Sequence, residues 1–496
     1  MPERKKPEIK NFIYRFFSVL FTAGILFSQE FVVSAEKSDI EKRLEEQRAS
    51  EIQTNQIPNW PFGPVVSADS AILMEANTGA ILYAKDIHKR EYPASTTKIM
   101  TSLLATELAS LDDVITFSHD AVFDNPPGSS GIAMDVGQQL TLEQCLNAIL
   151  IRSANEVCFA VAEHITGTTD WEVFAEVMND RAKELGALNT HFVNPNGLPD
   201  ENHYTTAYDL AMIGRAFFEN EMLCKISLSR RMEIPASDTI PETKIENNAM
   251  QIIPGGKYAY EYLIGCKTGY TNDARSCLVS CAEKNGLRLI CVVLKDESPL
   301  QYEDTISLFN YGFSNFDRVN VAQAETKYKI EGVGSFYEGN DIFGSSAPLL
   351  SLNRSDYIVL PRTLTMANLS SSISYDNLHA DQAALITYSY HDTPLGSVRV
   401  NFEAEEDNSY QFEPVSEEET PDPPAKNVVF VNIIRVFVAL GILAFCVLIF
   451  FIVKILRKNF TFASGKGRRE WKKANRKRIR AAHRRNRNRR KKVNGL

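Results

Sequence analysis

The 496-residue chain is poor in the residues that build metal and redox centres, with eight histidines, eight cysteines and three tryptophans. The histidines are scattered, and neither C-x-x-C nor H-E-x-x-H occurs, so a zinc site or a thioredoxin-like pair lacks its ligands and no cofactor is expected. A disulfide framework is missing as well. Cys446 lies in a long apolar run, and the other seven are an odd number in mostly apolar surroundings. They read as buried free thiols, a usage that suits a cell envelope without strong oxidising machinery. Internal repeats are absent. Acidic residues almost vanish at one end, where the last 43 residues hold 19 Lys and Arg against the single acid Glu470.

What is present begins with sorting signals. Arg4, Lys5, Lys6 and Lys10 precede the apolar stretch 16–27, and Val33-Ser34-Ala35 offers small residues for cleavage before Glu36. Residues 1–35 therefore read as a signal peptide, since the stretch is shorter than the roughly 17–25 residues a spanning helix needs. Residues 436–453 are 18 consecutive apolar residues, extended upstream to 428 across Arg435, and Lys454, Arg457 and Lys458 follow at once. This predicts a transmembrane helix over 428–453 and a basic cytoplasmic tail over 454–496. The tail hides the charge of the rest. Of the 54 basic residues 19 lie after 453 and 5 before 36, against one and three of the 62 acids, so residues 36–453 carry about −28. The run 484–492 then serves topology and anionic lipid, and no nucleic-acid partner is expected. Nothing in the chain specifies an oligomeric state.

Between these ends the hydrophobic content of 44% suits folded cores. Residues 36–57 read as a charged linker of helical character. A catalytic domain is expected over 58–315. It opens with a β-hairpin, residues 71–76 and 81–84 around the turn Asn77-Thr78-Gly79, and continues with a mostly helical stretch to about 227. Thr141 with Gln144 three residues on marks a helix start, and Gly167 marks a stop. Strands at 262–268, 277–281 and 287–294 follow, separated by Asn272-Asp273 and Asn285-Gly286, then a closing helix over 296–314. One antiparallel sheet built from both ends of the domain around a helical insertion results, an α/β (α+β) fold. Residues 316–405 alternate short apolar runs with Gly, Ser and Asn turns, the pattern of a small all-β domain, and 406–427 form an acidic, Pro-containing stalk.

Three short motifs carry chemistry by their order. Ser95-Thr96-Thr97-Lys98 begins a helix, which puts a hydroxyl and an amine on one face. Ser153-Ala154-Asn155 lies between two helices, and Lys267-Thr268-Gly269 ends a strand before Tyr270-Thr271. Each alone is an ordinary helix start, cap or turn. In this order, at separations of about 58 and 114 residues, they form the set of β-lactamases and penicillin-binding proteins.

Wider stretches extend the match: Pro93-Ala94, Gly128-Ser129-Ser130, Asn194-Pro195-Asn196-Gly197-Leu198, His203-Tyr204-Thr205-Thr206-Ala207-Tyr208-Asp209-Leu210 and Gly265-Cys266. Over residues 62–315 the chain resembles the low-molecular-weight D-alanyl-D-alanine carboxypeptidases, serine peptidase family S11. The resemblance implies a β-lactamase/DD-peptidase-like domain on the outer face of a bacterial cell membrane. It further implies that the terminal D-alanine is removed from peptidoglycan stem peptides, and that β-lactam antibiotics acylate the same serine. It makes Ser95 the nucleophile, Lys98 its base and Ser153 a proton relay. Asn155 would orient Lys98 and the substrate amide, Lys267 and Thr268 would hold the terminal carboxylate, and Gly269 would let the substrate backbone approach. The N–H groups of Ser95 and Tyr270 would form the oxyanion hole. His203 is expected to be structural.

For Lys98 to act as base its pKa must fall by roughly three units from ~10.4, about 4 kcal/mol, and burial beside the cation Lys267 pushes that way. Rival readings are a class A β-lactamase, a D,D-endopeptidase on cross-linked peptidoglycan, and a non-catalytic penicillin or cell-wall sensor. The first needs a deacylating glutamate, and Glu143 precedes Ser153 rather than following it.

Overall fold

The computed structural model describes residues 38–325 and 350–402 apart from residue 377. The segments expected as signal peptide, stalk, membrane span and basic tail lie outside the described residues. Among those described, no helix is long and apolar enough to cross a membrane.

Five strands form the central sheet: β1 (Ser70–Glu75), β2 (Ile81–Lys85), β3 (Leu263–Thr271), β4 (Arg275–Lys284) and β5 (Leu287–Asp296). Their order is β2-β1-β5-β4-β3 and every pairing is antiparallel, so the sheet joins both ends of the domain as expected. The first hairpin closes because the buried Glu75 carboxylate accepts the N–H groups of Asn77 and Thr78 and the Thr78 hydroxyl, while Gly79 takes φ +74°. Strand residues alternate between two apolar clusters. Ile72, Met74, Val279, Cys281, Ile290 and Val292 face the helical insertion, whereas Leu73, Leu278, Ala282, Leu289, Cys291 and Val293 face the other side. Burial on both faces is why these strands read as nearly continuous apolar runs.

The first face is covered by α4 (Ala207–Glu219) and the helix Glu221–Leu228, with α2 (Lys98–Leu108) packed on α4 and α3 (Asn155–Thr166) packed on α2, and the second face by α5 (Leu300–Asn315). The capping box of Thr141 and Gln144 forms, and Gly167 ends α3 at φ +71°. All seven described cysteines are buried free thiols, as expected; Cys446 lies outside the described residues.

Three expectations need correction. Residues 39–49 have the helical character expected but are not a linker: they form helix α1 (Asp39–Ala49), capped by Ser38 and Glu41 and docked on the sheet edge. The dock is polar, which hid it from hydrophobic patterning. Buried Lys85 Nζ donates to the carbonyls of Gln47 at 2.6 Å, Val66 at 3.0 Å and Ala68 at 2.6 Å, and Gln47 Nε2 donates to Lys295 O. Second, β3 runs through Lys267-Thr268-Gly269 to Thr271, with Gly269 opposite Cys277 and Tyr270 opposite Ser276, so that motif is inside a strand.

Third, the expected boundary at 315/316 crosses a shared core. Beyond it, β6 (Phe316–Asn320) pairs with β8 (Tyr357–Pro361). A four-stranded sheet runs β7 (Leu350–Leu352), β11 (Thr393–Phe402), β10 (Gln382–Tyr390), β9 (Ser370–Ser374). Ile358, Val359, Tyr388 and Leu395 belong to the same apolar cluster as Leu73, Leu82, Tyr311 and Phe316.

Candidate active site

The turn that carries Ser95 is set by backbone geometry. Ala94 takes φ +48°, residues 94–97 make one 3₁₀ turn, and α2 begins at Lys98. A left-handed alanine costs about 1–2 kcal/mol, so the turn must be held by its surroundings. Thr96 ties it locally, its N–H and hydroxyl both donating to Pro93 O at 3.2 and 2.7 Å. Ser95 then stands three residues before Lys98, and the two side chains meet at 2.9 Å.

A second strained turn presents Ser153. The chain passes through a π-helical turn over 148–152, the Ala154 N–H reaches back to Ala148 O, and Ser153 sits at φ +60°, ψ +36°. Its Oγ accepts from Lys267 Nζ at 3.1 Å, while Lys267 also donates to Thr268 O at 2.8 Å. Asn155 opens α3, its N–H donating to Ser130 O, and its Oδ1 accepts from Lys98 Nζ at 2.7 Å. Strand β3 lies close against the Ser95 turn. A Cβ on Gly269 would stand 2.9 Å from both Pro93 O and Ser95 N. The close approach at this glycine is between strand and turn.

These pieces surround a cavity of about 390 Å³, lined among others by Ser95, Ser130, Ser153, Lys267, Thr268 and Tyr270. Every residue expected at the site is therefore in it or bonded to a residue that is. Glu143 is exposed and is not among the lining residues.

Both lysines are fully buried. Desolvation lowers the Lys98 pKa to about 8, with the Glu156 carboxylate opposing the shift. Desolvation and then repulsion from Lys98 lower Lys267 to about 7. The buried His203 is neutral, since desolvation holds its pKa near 3. It accepts the Val193 N–H at Nδ1 and meets Thr97 Oγ1 at 2.8 Å.

Two contributors were not assigned roles from sequence. The Asn196 main-chain carbonyl accepts from Lys98 Nζ at 2.6 Å. Glu156, beside Asn155, receives the Ile132 N–H at 2.6 Å and anchors the loop that carries Ser130. A backbone acceptor has no residue-type signal. The only cue was the Asn-Pro-Asn-Gly string, whose Asn194 Oδ1 receives the Gly197 N–H at 2.7 Å to form the turn.

The chain is similar to several known proteins. Residues 56–298 match the family described as D-alanyl-D-alanine carboxypeptidase. The D-alanyl-D-alanine carboxypeptidase DacF of Bacillus subtilis is 34% identical over 284 residues, covering 55% of this chain and 69% of DacF. DacA of Escherichia coli is 28% identical over 336 residues, 64% of this chain and 77% of that one. The crystal structure of penicillin binding protein 5 from Haemophilus influenzae superposes with a TM-score of 0.53 at 25% identity, covering 69% of this chain and 98% of that one. With the fold, the three motifs and these likenesses in agreement, the chain belongs to the D-alanyl-D-alanine carboxypeptidase family, serine peptidase family S11.

Proposed function

We propose that Ser95 takes the penultimate D-alanine of a peptidoglycan pentapeptide stem as an acyl group, releasing the terminal D-alanine, and that penicillins acylate the same hydroxyl. The chain is a serine-type D-Ala-D-Ala carboxypeptidase. The observation that carries the residue-level reading is Lys98, a fully buried amine with a lowered pKa, 2.9 Å from Ser95 Oγ.

In this reading Lys98 Nζ takes the Ser95 proton as Oγ bonds to the carbonyl carbon. Charge on the oxygen is met by the N–H groups of Ser95 and Tyr270, each contributing roughly 3–4 kcal/mol. The C–N bond then breaks while the proton that Lys98 took passes through Ser153 to the nitrogen, which returns Lys98 to the neutral amine, and D-alanine leaves. Water, deprotonated by Lys98, adds to the ester carbonyl, and Ser95 Oγ departs with its proton restored. Asn155 orients Lys98 and the substrate amide. Lys267 and Thr268 hold the terminal carboxylate, whose negative charge raises the Lys267 pKa again when substrate arrives.

The same reading puts the catalytic domain on the outer face of a bacterial cell membrane. The apolar run 428–453 is then the anchor in lipid, and the basic tail is cytoplasmic. Support for this is the sequence alone. A membrane-impermeant penicillin given to intact cells is expected to label Ser95, mapped by peptide mass spectrometry. Label appearing only after permeabilisation contradicts the location, and label on another residue contradicts the nucleophile. With purified protein the acylation rate should rise through about pH 8, because below that value Lys98 is an ammonium and cannot accept a proton. A rate that is flat between about pH 6 and about pH 10 contradicts the role of Lys98.

A further inference from the structure

A neutral amine has two N–H bonds and one lone pair, so its strength as a base in a fixed site depends on where the lone pair points. Two of the three partners of Lys98 can only accept, Asn155 Oδ1 at 2.7 Å and the Asn196 carbonyl at 2.6 Å. Directing both N–H bonds there leaves the lone pair facing Ser95 Oγ. Asn155 is fixed by the start of α3. Asn196 is on a loop, and a loop holds a carbonyl at one point only if something pins it.

Several contacts lace this loop to the Ser95 turn and the start of α2. Thr101 Oγ1 donates to Pro195 O at 2.5 Å, and Gly197 lies so close that a Cβ there would stand 1.8 Å from Ala94 O. The third contact is His203. Its Nδ1 accepts the Val193 N–H at 3.1 Å, which leaves the ring proton on Nε2, and Nε2 donates to Thr97 Oγ1 at 2.8 Å. Burial keeps the ring neutral, so this tautomer persists across the working pH range.

We propose that His203 is a positioning residue for the reaction: by bridging the Val193 N–H and Thr97 Oγ1 it holds the Asn196 carbonyl on Lys98 Nζ and so aims the Lys98 lone pair at Ser95. This rests on the reading of Lys98 as the base. The defect on breaking the bridge falls on bond making rather than on encounter, since neither His203 nor Thr97 lines the cavity that contains Ser95.

Stopped-flow acylation by a chromogenic penicillin, with the full chain in detergent, separates the encounter constant from the acylation rate constant. His203→Ala and Thr97→Val are each expected to lower the rate constant about tenfold, with the encounter constant within about twofold of wild type. The double variant should be no slower than the slower single one, because both remove one bridge. His203→Gln can still offer an N–H to Thr97 and should recover most of the loss. Should His203→Ala not fold, Thr97→Val, His203→Gln and their combination carry the same comparison. Wild-type acylation by a folded Thr97→Val or His203→Ala, losses that multiply in the double variant, or a change confined to the encounter constant overturns the proposal. A Lys98→Ala variant that acylates at the wild-type rate overturns the base reading itself, whereas an inactive Lys98→Ala beside an unimpaired Thr97→Val overturns only the role of His203.

Discussion

Replacing Lys98 by alanine is expected to lower acylation by about 10³-fold or more while leaving the protein folded. Ser95 Oγ has one amine in contact, and without it the hydroxyl must attack with its proton still attached. The stability argument has two opposing parts. Holding a lysine whose pKa falls from 10.5 to about 8 costs on the order of 3 kcal/mol at neutral pH, and the substitution removes that cost. It also leaves Asn155 Oδ1 and Asn196 O without their donor, at about 1–3 kcal/mol each. The linkage has a definite sign. The folded pKa is below the unfolded one, so the wild-type cost is fully present below about pH 8 and shrinks as pH rises toward 10.5. Relative to the alanine variant, the wild type should therefore gain stability over that window. Circular dichroism melts and penicillin acylation rates on the same preparations check both halves. Retained acylation, or a variant that gains on the wild type as pH rises, contradicts the account.

Gly197→Ala is expected to damage the site from outside it. Gly197 has φ +84°, and a Cβ would stand 1.8 Å from Ala94 O and 2.4 Å from Ala94 C, backbone atoms of the nucleophile turn that cannot rotate away. The left-handed conformation costs about 1–2 kcal/mol by itself. Relief of the overlap must move the loop from the turn by more than an ångström, enough to cost about 10²-fold in rate. Gly167→Ala is the control. Gly167 has φ +71° at the end of α3, but a Cβ there meets nothing within 4 Å. It should lose about the same conformational term and keep its acylation rate. Equal rates in the two variants would show that the loop does not hold the turn.

Much of this candidate site was legible in the sequence because the side chains that the structure brings together lie in short motifs. Ser95 with Lys98, Ser153 with Asn155, and Lys267 with Thr268 each come from one local segment, and the order of the segments identified them together. The central sheet was legible for a related reason: apolar runs between Asn-Gly and Asn-Asp turns can only be short paired strands. What stayed hidden is held by the backbone or by polar contacts between distant segments. The Asn196 carbonyl, the approach of Gly269 to Ser95 N and the three carbonyls on Lys85 have no composition that announces them. The docking of helix α1 escaped because hydrogen bonds hold it, with Gln47 its buried residue, rather than an apolar stripe. The core shared across residues 315 and 316 escaped because alternation along a strand marks which side chains are buried, but not against what.

The central claim is that Ser95 transfers a D-alanyl peptide to water by way of its own ester. The most direct measurement incubates the full chain in detergent with a pentapeptide ending in D-Ala-D-Ala and follows free D-alanine, beside Ser95→Ala of equal fold. The account predicts steady release by the wild type and a loss of at least about 10⁴-fold in the variant. No D-alanine from a folded wild type that still takes up penicillin, or equal release by Ser95→Ala, would contradict it.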